Sequence, residues 1–234
     1  MSQQVIIDSR FHGPPSSANG GYVCGIVAGL IGSTAEVTLL HPPPVGRPLE
    51  ITRLEGGGVI LRDGAMVLAE GVPASVEIDV PVPVSFREAE QAAKSYVWFD
   101  GHPFPTCFVC GPDRSEGDGL RIFPGPVAGR NIIAAPWTPH ASLADEGGTV
   151  RPEIVWAALD CPSGIVFAGP GMVVVLGRLA ARLIAPIVIG QRYVVIGWQL
   201  GVEGRKLHSG SALFSENGTL HAVGKATWIS IVGH

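Results

Sequence analysis

The chain has 234 residues, of which 46% are hydrophobic and 15% are charged, and this balance predicts a folded chain with little disorder. Its net charge of −4 argues against a general nucleic-acid-binding protein, which needs a basic surface. The 32 glycines and 20 prolines predict many turns between short strands and exclude a simple helical bundle.

The first residues, Met1–Gln4, lack the basic start and the apolar run of a secretion signal. The most apolar stretch, residues 165–190, is interrupted by two prolines and two arginines, which a membrane span does not tolerate. Four cysteines without a secretion signal are typical of reduced thiols. We therefore expect a cytoplasmic protein with no membrane partner.

The first helical segment is predicted to begin after Asn19 and to end near Gly32. Asn19 is a good N-cap, and the apolar residues that follow it recur at helical spacing, namely Val23, Ile26, Val27, Leu30 and Ile31. Gly21, Gly25 and Gly29 form a second row along the helix. That row predicts a close approach of another backbone.

A second helical segment runs from Arg151 to Pro162. Pro152 suits the first helical turn because its missing N–H would have no partner there, and Glu153 complements the helix dipole. Asp160 follows within the same apolar segment.

Extended segments follow each helix and end in hairpins at Asp63-Gly64 and Asn217-Gly218. The order of short strand, helix and strand meander thus occurs twice, which indicates a duplication. The predicted fold class is α+β, a pair of antiparallel sheets that each wrap a central helix and join as a pseudo-dimer. We predict repeats at 1–86 and 105–234, joined by a linker at 87–104 that includes a short helix over 88–96.

Several motifs resemble those of hotdog-fold acyl-CoA thioesterases of the phenylacetate type. Cys107-Phe108-Val109-Cys110-Gly111 resembles their Cys-Phe-x-Cys-Gly opening, and Gly119-Leu120-Arg121-Ile122-Phe123 resembles the strand that follows. Phe11-His12-Gly13-Pro14 with Asn19-Gly20-Gly21-Tyr22 is similar to the start of double-hotdog members. The resemblance implies a tandem hotdog fold and hydrolysis of an acyl-CoA or acyl-carrier thioester.

The resemblance also implies a site shared between the two repeats, where the helix start of one faces the acidic residue of the other. Here Asn19, Gly20 and Gly21 would meet Asp160, and these four are the candidate catalytic residues. The reciprocal pairing sets Arg151, with Pro152 and Glu153, against Ala28, which supplies no base. The chain therefore departs from the family pattern in a way that predicts one active and one inactive site.

These candidate residues suit thioester hydrolysis, because N–H groups in the first turn of a helix can stabilise the oxyanion that forms when a thioester is attacked. A desolvated aspartate can activate a water or attack the carbonyl itself. Structural roles stay open for each residue: Asn19 as an N-cap, Gly20 and Gly21 as packing positions, Asp160 at a chain turn before Pro162.

Other chemistries are less favoured by the sequence. Cys107 and Cys110 form only half of a four-ligand zinc pattern, with His102 and His140 as conceivable partners, so no metal and no cofactor are predicted. No Gly-x-Ser-x-Gly elbow, phosphate loop or dinucleotide fingerprint occurs, and Cys161 has no nearby histidine that would make it a nucleophile. A hotdog hydratase or dehydratase and a non-catalytic thioester-binding module are the rival functions, and a homo-oligomer stays open.

Overall fold

The computed structural model describes residues 3–32, 34–169 and 172–231. The first part contains β1 (Gln3–Ile6), α1 (Gly20–Ala28), β2 (Thr34–Leu39), β3 (Pro48–Arg53), β4 (Val59–Asp63) and β5 (Met66–Pro73). The rest contains α2 (Phe86–Ala93), β6 (Gly125–Pro126), β7 (Ile133–Trp137), α3 (Pro152–Ile165), β8 (Val174–Leu183), β9 (Tyr193–Glu203), β10 (Lys206–Ser215) and β11 (Leu220–Ser230).

All described strands form one antiparallel sheet in the order β1-β3-β4-β5-β2-β8-β11-β10-β9-β7-β6. The prediction of two sheets joined as a pseudo-dimer is thus met only in part, because the described strands form one continuous sheet. β2 pairs with β8, with Val37 opposite Leu179, and Arg178 on β8 contacts Glu36 on β2 at 3.4 Å. This pairing removes two sheet edges that would otherwise leave backbone groups unpaired, which is a physical reason for one continuous sheet.

The strand order is the same on either side of the β2–β8 junction. Outward from β2 the order is β5, β4, β3 and β1, and outward from β8 it is β11, β10, β9 and β7, with the two-residue β6 added at that edge. In the chain, α1 lies between β1 and β2, and α3 lies between β7 and β8. Along the described chain, a strand followed by a helix and a run of antiparallel strands thus occurs twice.

The helices cover both faces of the sheet. α1 and α3 lie side by side in the main core, together with Val195 of β9. α2 belongs to a second cluster on the opposite face, where it packs with Val194 and Ile196 of the same strand. Alternate residues of a strand point to opposite faces, so the predicted linker between the repeats contributes a helix to the far side of the sheet.

Several elements differ from those predicted. The helix predicted over 88–96 spans Phe86–Ala93 and begins after the N-cap Ser85. α1 ends at Ala28 rather than near Gly32, and residues 119–123 form no strand but donate backbone bonds to Phe108 and Val109. α3 continues through Pro162 to Ile165 because the helix is buried from Ile154 onward, and packing there outweighs the lost N–H. Asp160 therefore lies inside a helix, not at a turn.

No helix within the described ranges is long and apolar enough to cross a membrane. The outer ends of the two predicted repeats, residues 1 and 234, lie outside the described residues.

Candidate active site

The candidate site lies where α1 and α3 are in close contact. A Cβ on Gly21 would lie 2.4 Å from Asp160 Cβ and 2.8 Å from Trp156 O, and one on Gly25 would lie 2.5 Å from Glu153 Cα. The two helices are thus antiparallel and in backbone contact, as the glycine row predicts. Gly29 takes no part in this contact, since its nearest neighbours are carbonyls of its own helix.

This contact brings the start of α1 to Asp160, in the second half of α3. Asn19 Nδ2 donates to Asp160 Oδ2 at 2.8 Å, and the Gly21 N–H donates to the same oxygen at 2.9 Å. The residues that were predicted to meet across the two repeats are therefore together. The Gly21 N–H donates to the carboxylate and the Tyr22 N–H donates to Asn19. Among the first three N–H groups of α1, only that of Gly20 therefore remains available to a bound oxygen atom.

The second carboxylate oxygen, Asp160 Oδ1, is buried without a hydrogen-bond partner among the described residues. The side chain is 2% exposed. Burial raises the pKa of Asp160 to about 7, and the bonds from Gly21 and Asn19 oppose this rise. A carboxylate with one oxygen fixed and one free is suited to accept a proton or to attack a carbonyl.

Asn19 has two roles at once. Its Oδ1 accepts the Tyr22 N–H at 2.9 Å and so caps α1, while its Nδ2 holds Asp160. Its own N–H donates to Phe11 O at 2.8 Å, which fixes the approach of the chain to the helix. The helix cap and the bond to Asp160 therefore coexist on one side chain.

A cavity of about 330 Å³ opens beside Asp160 and Gly20. Most of its wall is apolar, with contributions from the loop between α2 and β6, from the end of α3, from β8 and from β11, among them Trp98, Phe104, Ile165, Val174, Leu176 and Trp228. Gly20 lines this space. A Cβ there would lie 3.0 Å from side-chain carbons of Leu39 and Leu176, so the position leaves little room for a larger residue. Gly20, the first residue of α1, and Asp160 thus line one largely apolar cavity.

Three thiols line the same cavity. The sulfur atoms of Cys107, Cys110 and Cys161 all lie within 4.8 Å of one another, and those of Cys107 and Cys161 are 3.8 Å apart. Hydrogen bonds from the other two thiols hold the pKa of Cys107 well below its usual range. The sequence linked only Cys107 with Cys110, and α3 supplies the third cysteine.

His102 lies next to this cluster, with Nε2 3.4 Å from Cys110 Sγ. Its Nδ1 accepts the Phe104 N–H at 2.8 Å, so Nδ1 carries no proton and the proton of the neutral ring lies on Nε2. Burial lowers the pKa of His102, which favours that neutral ring.

The reciprocal pairing at the other end of the helices lacks these features. Arg151 makes no side-chain cap for α3 and instead lies 3.5 Å from Glu153, while Ala28 offers no carboxylate. Neither Glu153 nor Ala28 contributes to the cavity wall.

The residues that shape the cavity were missed at the sequence level. Leu176 and Trp228 belong to strands whose alternation predicts one buried face, but not which part of that face meets a helix start. Trp98 and Phe104 lie in the irregular loop between α2 and β6, where no periodic pattern exists.

Solved structures with a similar fold are found across nearly the whole chain. A candidate thioesterase II from Thermobifida fusca is 14% identical, with a TM-score of 0.65 over 98% of this chain and 93% of that one. A candidate thioesterase from Novosphingobium aromaticivorans is 11% identical, with a TM-score of 0.64 over 97% and 94%. A hot dog protein of unknown function from Alicyclobacillus acidocaldarius is 10% identical, with a TM-score of 0.61 over 100% and 94%.

No protein-family model matches the sequence, and comparison with curated proteins finds no match. At these identities the structural likeness defines the fold. The chain has the hotdog fold.

Proposed function

We propose that the chain is a thioesterase that hydrolyses an acyl-CoA-type thioester at one site, formed by the start of α1 and by Asp160 of α3. The observation that carries the proposal is the buried Asp160, with Oδ2 held by Asn19 and Gly21 and with Oδ1 unpartnered beside an apolar cavity. Asp160, Asn19, Gly20 and Gly21 form the catalytic set.

Each group has a definite role in the reaction. Oδ1 of Asp160 either removes a proton from the attacking water or attacks the thioester carbon itself, and both routes need the same atom. The Gly20 N–H stabilises the developing oxyanion, because the first N–H groups of a helix lack intrahelical acceptors and lie at the positive end of its dipole. The C–S bond then breaks, and on the water route the departing thiolate takes up the proton that Asp160 removed from water. On the covalent route the thiolate leaves an acyl-aspartyl anhydride, which a water molecule hydrolyses to release the acid and regenerate the carboxylate, and the water also supplies the proton for the thiolate.

The acyl group would occupy the apolar part of the cavity, between Leu176 and Trp228. The descriptions of two similar folds as candidate thioesterases support this class of reaction. A CoA or carrier-protein handle is taken from the motif resemblance. We propose further that the chain acts in the cytoplasm, where its four unpaired cysteines stay reduced.

The repeat boundaries at 1–86 and 105–234 form part of the proposal. The repeated strand order supports them, since each proposed repeat contains one complete set of strands around one helix. The site needs both repeats, because Asn19 belongs to the first and Asp160 to the second.

The test is thiol release from short, long and aromatic acyl-CoAs by the wild type and by Asp160→Asn. Asparagine keeps the shape of the side chain and an oxygen for Asn19 and Gly21, but it provides no base or nucleophile. We expect the wild type to hydrolyse at least one substrate and the folded variant to lose about 10²-fold or more in rate.

Two outcomes would contradict the proposal. If neither protein releases thiol while an acyl-CoA raises the melting temperature of both, the chain is a thioester-binding module. If enoyl-CoA is hydrated without release of thiol, it is a hydratase.

A further inference from the structure

The three clustered thiols have no role in the proposed hydrolysis. Cys107 and Cys110 come from the loop between α2 and β6, and Cys161 comes from α3, so the cluster joins two separate parts of the fold. All three side chains are buried, with exposures of 3%, 4% and 7% in chain order. Cys107 and Cys161 are 54 residues apart in the sequence, so tertiary packing and not local structure brings their sulfur atoms together.

The spacing of the sulfur atoms matches that of ligands around one metal ion. Tetrahedral zinc with Zn–S bonds of about 2.3 Å separates its sulfur ligands by about 3.8 Å. The Cys107 and Cys161 sulfurs are 3.8 Å apart, and the Cys110 sulfur lies within 4.8 Å of both. An ion between them would therefore need only small side-chain adjustments.

The loop is built tightly enough to fix two of these ligands. The Gly111 N–H donates to Cys107 O at 2.9 Å, and a Cβ on Gly111 would lie 2.5 Å from Cys107 N. The Tyr96 hydroxyl donates to Cys110 O at 3.1 Å. The Cys-x-x-Cys turn is thus held in one compact conformation before any ligand binds.

We propose that Cys107, Cys110 and Cys161 form a three-thiolate site for Zn²⁺, with its fourth position open to the cavity. Thiolate ligands favour zinc over the harder divalent cations magnesium and calcium. An open fourth position is typical of zinc sites that bind a water or a substrate atom, whereas purely structural sites are closed by four protein ligands.

His102 supports the site from outside the coordination sphere. Its Nδ1 accepts the Phe104 N–H, so the proton is on Nε2, which donates to the Cys110 sulfur at 3.4 Å. A nitrogen that carries a proton cannot bind the metal, but its N–H can stabilise a metal-bound thiolate and orient it. His102 is accordingly a positioning residue and not a ligand.

This inference goes beyond the proposed hydrolysis and does not depend on it. The test is elemental analysis of the full-length chain, produced with zinc in the medium and purified under reducing conditions without chelator. We expect about one zinc per chain in the wild type and a loss of at least tenfold in Cys107→Ala and Cys110→Ala. Cys24→Ala is the matched control, since Cys24 is also buried but lies in α1 and outside the cluster, and it should keep its zinc.

Cobalt supplies a readout that is independent of activity and of zinc content. The wild type and Cys24→Ala loaded with Co²⁺ should show the intense visible and thiolate charge-transfer bands of a tetrahedral thiolate site. His102→Ala should keep these bands but bind about 10–100-fold more weakly. Asp160→Asn should retain the metal in full, which separates a failure of this proposal from a failure of the hydrolysis.

The proposal is overturned if reduced wild-type protein, dialysed against Zn²⁺, holds less than about a tenth of an equivalent. It is also overturned if Cys24→Ala loses as much metal as Cys107→Ala. Loss of the cobalt bands in His102→Ala would make the imidazole a ligand and would refute the three-thiolate assignment.

Discussion

Replacement of Gly21 by alanine tests how the site is held together. The new Cβ would lie 2.4 Å from Asp160 Cβ and 2.8 Å from Trp156 O. The carbonyl oxygen belongs to a buried helix and cannot move aside alone. The start of α1 must therefore shift by about 1 Å to restore a normal contact of about 3.5–4.0 Å.

The two consequences of this shift differ in size. Overpacking costs about 1–3 kcal/mol, and the better helix propensity of alanine returns about 1 kcal/mol, so the free energy of unfolding should fall by about 0–2 kcal/mol. The bond from the Gly21 N–H to Asp160 would lengthen from 2.9 Å beyond hydrogen-bonding distance. A displacement of about 1 Å in a catalytic group costs about 10²-fold in rate.

Urea unfolding and thiol release from the best acyl-CoA substrate measure the two effects separately. Gly29→Ala is the control, because its Cβ would lie 3.3 Å from Gly25 O of its own helix and far from Asp160. We expect the control to keep its rate. A Gly21→Ala protein that is stabilised by about 1 kcal/mol and keeps full activity would refute the role of the helix contact in positioning the carboxylate.

Three further substitutions address single contacts. Asn19→Ala should lower stability by about 1 kcal/mol through loss of the helix cap and should also impair hydrolysis, whereas Asn19→Ser should recover urea stability but not thiol release. Ser163→Ala removes the acceptor for the buried Trp228 Nε1, so urea unfolding should show a loss of about 1–3 kcal/mol. Ser85→Ala breaks the capping box of α2. The Ser85 bonds lower the pKa of Glu88, so their stabilisation is complete above the ordinary glutamate range and is lost as the pH falls through the folded pKa. The stability difference between wild type and Ser85→Ala should therefore narrow in acid to the contribution of the bond from the Glu88 N–H to Ser85 Oγ.

Each of these expectations has a clear counter-result. Recovery of activity in Asn19→Ser would mean that the Nδ2 donor is dispensable. An unchanged urea midpoint in Ser163→Ala would mean that the indole N–H finds another partner. A constant stability difference between wild type and Ser85→Ala from neutral to acid pH would mean that the charge of Glu88 does not contribute through the cap.

Local features of the site followed from the sequence. Asn19 precedes an apolar helical pattern, and the spacing of Gly21 and Gly25 places them on one side of that helix, so the cap and the close contact were predictable. The meeting of Asn19 with Asp160 rested on motif resemblance, since nothing local relates two residues 141 positions apart.

Features that depend on tertiary packing did not follow from the sequence. A proline at position 162 normally ends a helix, but α3 is enclosed on all sides and continues past it. The two sets of strands join because β2 pairs with β8. No residue pattern within β2 predicts which strand pairs with its free edge. The third cysteine of the thiol cluster lies on a helix, and only the docking of the loop against that helix brings it to Cys107.

The antiparallel contact of α1 and α3 on one chain also removes a constraint of symmetry. In a dimer of identical subunits, a substitution at the helix start changes both sites at once. Here the equivalent positions evolve separately: Asn19 and Gly20 begin one helix, while Arg151 and Pro152 begin the other. Substitutions at the start of α1 can therefore alter the candidate site without changing the start of α3, and substitutions at the start of α3 can alter stability without changing the candidate site.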